Sequence, residues 1–199
     1  MLLTLCYAAV GYIEYLFFFW MHFYFKDVLH LPSEESRMYA AILNLSLAAG
    51  MIAGGWAADR MHAHHRGWLG RALVPMAAML AGAGLLILGV LAEDIIEVVI
   101  WLSLALAAVG AAEAPVWTLS VELGGRHGGT AAAICNTGGN AGGLIAPILT
   151  PLVSGWVTRQ FGLTEQAGWQ WGIGLGALIG VAGAVLWIWI RPDESEARA

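Results

Sequence analysis

The sequence predicts an all-α membrane protein whose six transmembrane helices form two inverted three-helix repeats, and three observations carry that expectation. Of 199 residues, 59% are hydrophobic and 12% charged, with a mean hydropathy of +0.72, whereas a soluble domain has about 45–50% apolar and about 25% charged residues. Six stretches approach or exceed the roughly 20 apolar residues that a helix needs to cross a bilayer. Their polarity also repeats in order: polar, polar, apolar, and again. A three-span unit is odd-numbered, so its second copy enters the membrane upside down.

The first span, Leu2–Phe25, lacks the basic n-region and small-residue cleavage site of a signal peptide. Gly11, Glu14 or Tyr15, Phe18 and His22 fall on one stripe at helical spacing, within an aromatic run from Tyr15 to Tyr24. Such stripes serve packing as readily as ligand contact. The second span, Tyr39–Ala58, carries Asn44 and ends in Gly55-Trp56-Ala57-Ala58-Asp59-Arg60. Asp59 there lies at the negative end of the helix dipole and calls for a basic partner, with Arg60, Arg66 and Arg71 as candidates. The competing reading is a solvated Asp-Arg loop. His62, His64 and His65 follow, but no fourth ligand stands near them, so no metal is expected.

The third span, Ala72–Ala92, has no charged residue. In the fourth, Val98–Val121, Glu113, Trp117 and Ser120 share a face, with Pro115 loosening the backbone between them. An ionisable side chain inside a membrane helix is a functional candidate by default. Glu113 is therefore expected to hold or release a proton according to which side its cavity opens to, the alternative being a structural hydrogen bond. Span five, Thr130–Val157, follows the turn Gly124-Gly125-Arg126-His127-Gly128-Gly129 and aligns Asn136, Asn140, Gly143 and Pro147. Amides have no partner in hydrocarbon, so this seam must face protein or water. Pro147 and Pro151 predict a kink or break, and the glycines let another helix approach closely. Span six, Gly172–Ile190, carries the ladder Gly172, Gly176, Gly180, with Trp187 and Trp189 expected at the interface. Spans three and six are expected on the lipid-facing outside.

Lys and Arg divide unequally among the loops. Arg60, Arg66, Arg71, Arg126, Arg191 and Arg198 fall on one side, against Lys26, Arg37 and Arg159 on the other. The positive-inside rule makes the first side, and the C-terminus with it, cytoplasmic. Residues 1–190 are thus expected as one membrane bundle and 191–199 as a cytoplasmic tail, in a multi-pass protein of the cell (inner) membrane. Cys6 and Cys135 both lie in apolar helices and give no disulfide framework. No basic stripe points to nucleic acid, and no cofactor motif is present. Neither H-E-x-x-H, G-x-S-x-G nor paired aspartates occur on the spans, so an enzyme is not expected.

The segment WTLSVELGGRHGGTAAAICNTGGNAGGLIAPILTP, with its G-R-H-x-G-T turn and N-x-x-G-N core, resembles the last third of a major facilitator superfamily transporter. The G-x-x-x-D-R loop resembles that superfamily's loop motif, and the closest resemblance is to its anion:cation symporter family. His22 stands where that family often has proline. The family has twelve spans, so the resemblance implies the C-terminal half of a longer transporter. It implies proton-coupled transport of small organic anions such as sugar acids, with Asn136, Trp117 and Tyr15 touching substrate and Asn140 binding it from the cavity lining. Glu113 and Glu14 would tune protonation or polarity, and Asp59 and Arg60 would belong to a cytoplasmic latch. No Lys or Arg lies mid-span, so pairing with the anion would fall to the missing N-terminal half. A six-helix carrier or channel covering its seam with a second copy is the alternative.

Overall fold

A computed structural model describes residues 1–65 and 67–190, and every described element is helical. α1 (Leu2–Phe23) continues into a π-helical turn, Tyr24–Val28. α2 (Ser33–His64) and α3 (Trp68–Leu91) follow. α4 (Ile95–Gly124) joins α5 (Gly128–Phe161) through the 3₁₀ turn Gly125–His127, and α6 (Glu165–Leu186) ends in a 3₁₀ turn, Trp187–Trp189. Arg66, Arg191, Arg198 and the expected tail lie outside the described residues.

Most helices extend beyond the predicted spans, and at two of them a polar side chain caps the added first turn. Asp94 caps α4 by accepting from the amides of Ile96 (2.8 Å) and Glu97 (3.3 Å), and Thr164 caps α6 from Ala167 (3.2 Å). Five stretches among the described residues are long and apolar enough to cross a membrane, and one of them, Ile95–Phe161, is 67 residues long. At about 1.5 Å per residue a straight rod of that length would reach about 100 Å, against roughly 30 Å of hydrocarbon. The chain instead turns at Gly125, whose φ of 50° suits glycine, so that α5 packs back on α4.

The bundle is held by two close helix pairs, α1 on α5 and α2 on α4. Glycine sets both. A Cβ on Gly142 would land on the Ala8 carbonyl of α1, and one on Gly50 would land on the Ala107 carbonyl of α4. Backbones this close gain dispersion contacts that lipid cannot supply, the usual source of association where no hydrophobic drive exists between helices. Pro147 and Pro151 do not break α5, which runs continuously through both. Each proline removes one intrahelical hydrogen bond without ending the helix.

α3 and α6 pack on each other, and the small-residue ladder of α6 faces inward. Gly172 meets the Thr150 carbonyl of α5, and Gly176 meets Leu86 and Leu16. The outward faces of α3 and α6 carry the exposed apolar residues Leu80, Leu91, Trp171 and Leu178. α2 is nonetheless the least buried helix, exposing Leu45, Ile52 and Trp56. Trp189 is exposed, but Trp187 is fully buried and its carbonyl accepts the Trp68 indole N–H at 2.9 Å. It is therefore a core residue and not part of an interfacial belt.

Candidate functional site

A cavity of about 320 Å³ opens where α1, α2, α4 and α5 converge, and it collects most of the polar side chains that the sequence singled out. α1 contributes Tyr7, Gly11, Glu14, Tyr15 and Phe18; α4 contributes Glu113; α5 contributes Asn136, Gly139 and Asn140. Leu47 and Met51 of α2 close an apolar wall. A larger groove of about 490 Å³ lies between α3 and α6, but only Gln170 interrupts its apolar lining. Convergent polar groups, rather than size, mark a binding site, and of these two cavities the smaller one has them.

The site exists because α5 comes so close to α1. Gly139 leaves room for the Tyr7 ring and Gly143 for the Tyr15 ring; a Cβ on either glycine would sit within 2.6–2.7 Å of ring carbons. Tyr7 donates its hydroxyl proton to Glu113 Oε1 at 2.9 Å. Trp117 Nε1 donates to the Tyr7 oxygen at 3.1 Å and lies 3.4 Å from Glu113 Oε1. The Tyr7 and Trp117 rings meet edge to face, 5.7 Å between centroids. Tyr15 donates to Asn140 Oδ1 at 3.3 Å, and Asn140 Nδ2 donates to the Asn136 carbonyl at 3.0 Å.

Glu14 is 8% exposed, with Oε1 buried and unpartnered, and its carboxyl group faces that of Glu113 within hydrogen-bonding reach. The described lining contains no Lys or Arg, so the two carboxyl groups meet without a counter-charge.

Most of the sequence-derived candidates meet here, but not all of them. Trp117 sits behind Tyr7 and is absent from the cavity wall, and Ser120 turns back to the Trp117 carbonyl at 2.7 Å. Asn44 is exposed and lies outside the lining. Tyr7, which the sequence reading passed over, is the hub of the network. The signal was present, because Tyr7 precedes Gly11 by four residues and so extends the same stripe one turn toward the N-terminus.

The Asp59-Arg60 pair lies at the other end of α2. Arg60 stacks over the Trp56 ring at 4.2 Å, and Asp59 lines a small cleft with His62, Arg71 and Glu122. Arg71 makes its ion pair with Glu122, because the first turn of α3 packs against the last turn of α4. Asp59 is exposed, and among the described residues no ion pair reaches it. Glu122 is a second residue that the sequence reading missed.

Comparison with known proteins places this architecture. The family model described as Major Facilitator Superfamily matches residues 1–147. The chain is 23% identical over 192 residues to the probable sulfoacetate transporter SauU of Cupriavidus necator, covering 96% of this chain and 43% of that protein. Among solved structures it resembles a bacterial homologue of the human lysosomal transporter Spinster, crystallised inward-facing and unoccupied. That likeness has a TM-score of 0.81 and 17% identity, covering 94% of this chain and 46% of the other. It also resembles tetrameric PepTSo2, with a TM-score of 0.74 and 18% identity, covering 94% of this chain and 40% of the other. At such identities the structures establish the fold alone. The chain spans less than half the length of each of these relatives, and the family and the named transporters among them point to transport and not to an enzyme.

Proposed function

Because the chain belongs to the Major Facilitator Superfamily, we propose that it forms one six-span half of a secondary transporter, working by alternating access with an N-terminal half. The substrate class is small organic anions, sugar acids or sulfonates, moved with protons as in the anion:cation symporter family. The bilayer is the inner membrane with the C-terminus cytoplasmic. The observation that carries this reading is the polar cavity itself. Two carboxyl groups and two amides converge on an open face that also leaves α2 the least buried helix, and such polarity inside hydrocarbon calls for a covering partner.

The pairing of helices supports the inverted repeat. Gly142 on Ala8, Gly11 on Gly139 and Gly138 on Thr4 join α5 to α1; Gly50 on Ala107, Gly110 on Leu47 and Ser46 on Ser103 join α2 to α4. At a constant offset along each helix, every contact in the first set has its counterpart in the second, and Glu14 matches Glu113. Two three-helix units related by a pseudo-twofold axis in the membrane plane generate this crossed pairing.

Within that frame Asn136 offers a side-chain amide to substrate, whereas the Asn140 amide is held by Tyr15 and by the Asn136 carbonyl. Tyr15 and Asn140 shape the wall, Trp117 supports it through Tyr7, and Glu14 with Glu113 sets its proton occupancy. Asp59 and Arg60 serve the cytoplasmic latch. The substrate's own charge pairs with basic residues of the other half.

The test is proton-driven uptake of sugar acids and of sulfoacetate by the chain reconstituted at low protein-to-lipid ratio, alone and co-expressed with a matching six-span N-terminal half. Uptake restored only by the partner half supports the proposal. Robust uptake by single copies refutes it, and uptake that rises with self-association favours a homodimer.

A further inference from the structure

The carboxyl pair at the floor of the cavity contains more than two candidate acids, because the hydrogen bonds around it are unequal. A carboxylate can only accept hydrogen bonds, so two facing carboxyl groups bond to one another only when one carries a proton. The distribution of donors around the two groups favours one of them. Trp117 N–H has no acceptor capacity and donates to the Tyr7 oxygen at 3.1 Å. The one Tyr7 proton is thereby aimed at Glu113 Oε1, 2.9 Å away. Glu113 Oε1 thus receives hydrogen bonds that favour the carboxylate form of Glu113 over its acid.

Glu14 has the opposite surroundings. Its Oε1 is buried and partnerless, and the residue as a whole is only 8% exposed. Its titratable neighbours are Glu113 from α4, and Tyr7 and Tyr15 from α1, of which Tyr7 donates to Glu113 and Tyr15 to Asn140. α2 supplies only Leu47 and Met51, and α5 only amides and glycine. No donor in the described lining reaches Glu14 to support a carboxylate.

We propose that Glu14 and Glu113 form one unit holding a single proton, that this proton resides on Glu14 and is donated to Glu113, and that Tyr7 is the positioning residue that fixes this arrangement. The inference rests on reading the cavity as a proton-linked transport site, and it moves the proton from the residue that the sequence favoured to its partner on α1. On release, the Glu14 O–H bond breaks and the proton passes to cavity water, leaving a carboxylate on Glu14.

Infrared difference spectroscopy of the full chain in lipid nanodiscs locates the proton without requiring transport, so its failure is distinct from failure of the uptake test. At neutral pH the wild type should show one protonated-carboxyl band assignable to the pair. Glu14→Gln should abolish it, because Glu113 then remains an acceptor for Tyr7, Trp117 and the new amide. Glu113→Gln should retain it, because Glu14 can still donate to the glutamine oxygen. Tyr7→Phe should erase this asymmetry, so that the double variant Tyr7→Phe/Glu14→Gln regains a band on Glu113. The amide bands of the same spectra verify that each variant keeps its helices. Retention in Glu14→Gln with loss in Glu113→Gln would put the proton on Glu113 and overturn the assignment. Retention in both, loss in both, or no effect of Tyr7→Phe would equally overturn it.

Discussion

Replacing Gly142 by alanine probes the contact on which the cavity depends. A Cβ built there falls on the Ala8 carbonyl oxygen, 2.8 Å from the Ala8 carbonyl carbon and 3.0 Å from the Tyr12 nitrogen. These are backbone atoms of a packed helix, so no rotamer change relieves the clash; α1 and α5 must separate. Overpacking of this kind costs about 1–3 kcal/mol, roughly a 5- to 150-fold fall in the folded-to-unfolded ratio. The separation also pulls on the Tyr12–Thr150 hydrogen bond at 3.0 Å and the Tyr15–Asn140 bond at 3.3 Å, the latter at the cavity wall. The control is Gly174→Ala, where the nearest atom is Ile87 Cδ1 at 3.9 Å. It should change stability by less than about 0.5 kcal/mol. Thermal unfolding of detergent-solubilised protein, followed by size-exclusion chromatography after heating, compares the two. Gly142→Ala as stable as Gly174→Ala would refute the close approach of α1 and α5.

Gly50→Ala occupies the equivalent place in the α2–α4 pair and should destabilise by a similar amount in the same assay, because its Cβ meets the Ala107 carbonyl. Removing either Arg71 or Glu122 should cost at most about 1 kcal/mol, since the pair is partly solvated, and a double-mutant cycle measures the coupling. Asn136→Ala in the two-half transporter should weaken substrate binding about 5- to 10-fold, the worth of one hydrogen bond, with unchanged membrane insertion; a binding titration checks it. Glu113→Gln should change the pH profile of uptake without preventing insertion, and an unaltered profile and affinity would make the residue structural. Cysteine labelling should find Arg66 accessible from the cytoplasm and Glu35 and Glu93 from outside.

Composition and hydropathy alone determined the all-helical membrane class, because a lipid core permits a backbone little besides the helix and the closed barrel. The helical period placed Glu14, Tyr15, Glu113, Asn136 and Asn140 on stripes, and that information is local, since residues one turn apart share a face whatever the fold. Tertiary structure decided what those stripes meet. Tyr7 became the hub because Gly139 of α5 makes room for its ring and Trp117 of α4 donates to its oxygen, a three-helix coincidence that no period encodes. Arg71 pairs with Glu122 and not with Asp59 because the packing of α3 on α4 brings distant helix ends together. Pro147 and Pro151 marked a kink or a break by propensity, and the break is absent, since packing along its glycine face holds α5 as one helix where its local sequence would interrupt it. Trp187 reads as an interfacial anchor by position, but its buried contact with Trp68 depends on where α3 begins relative to the end of α6. Residue types and spacing fix which side chains can act together along one helix, whereas pairing across helices follows from the close approach that a few glycines permit.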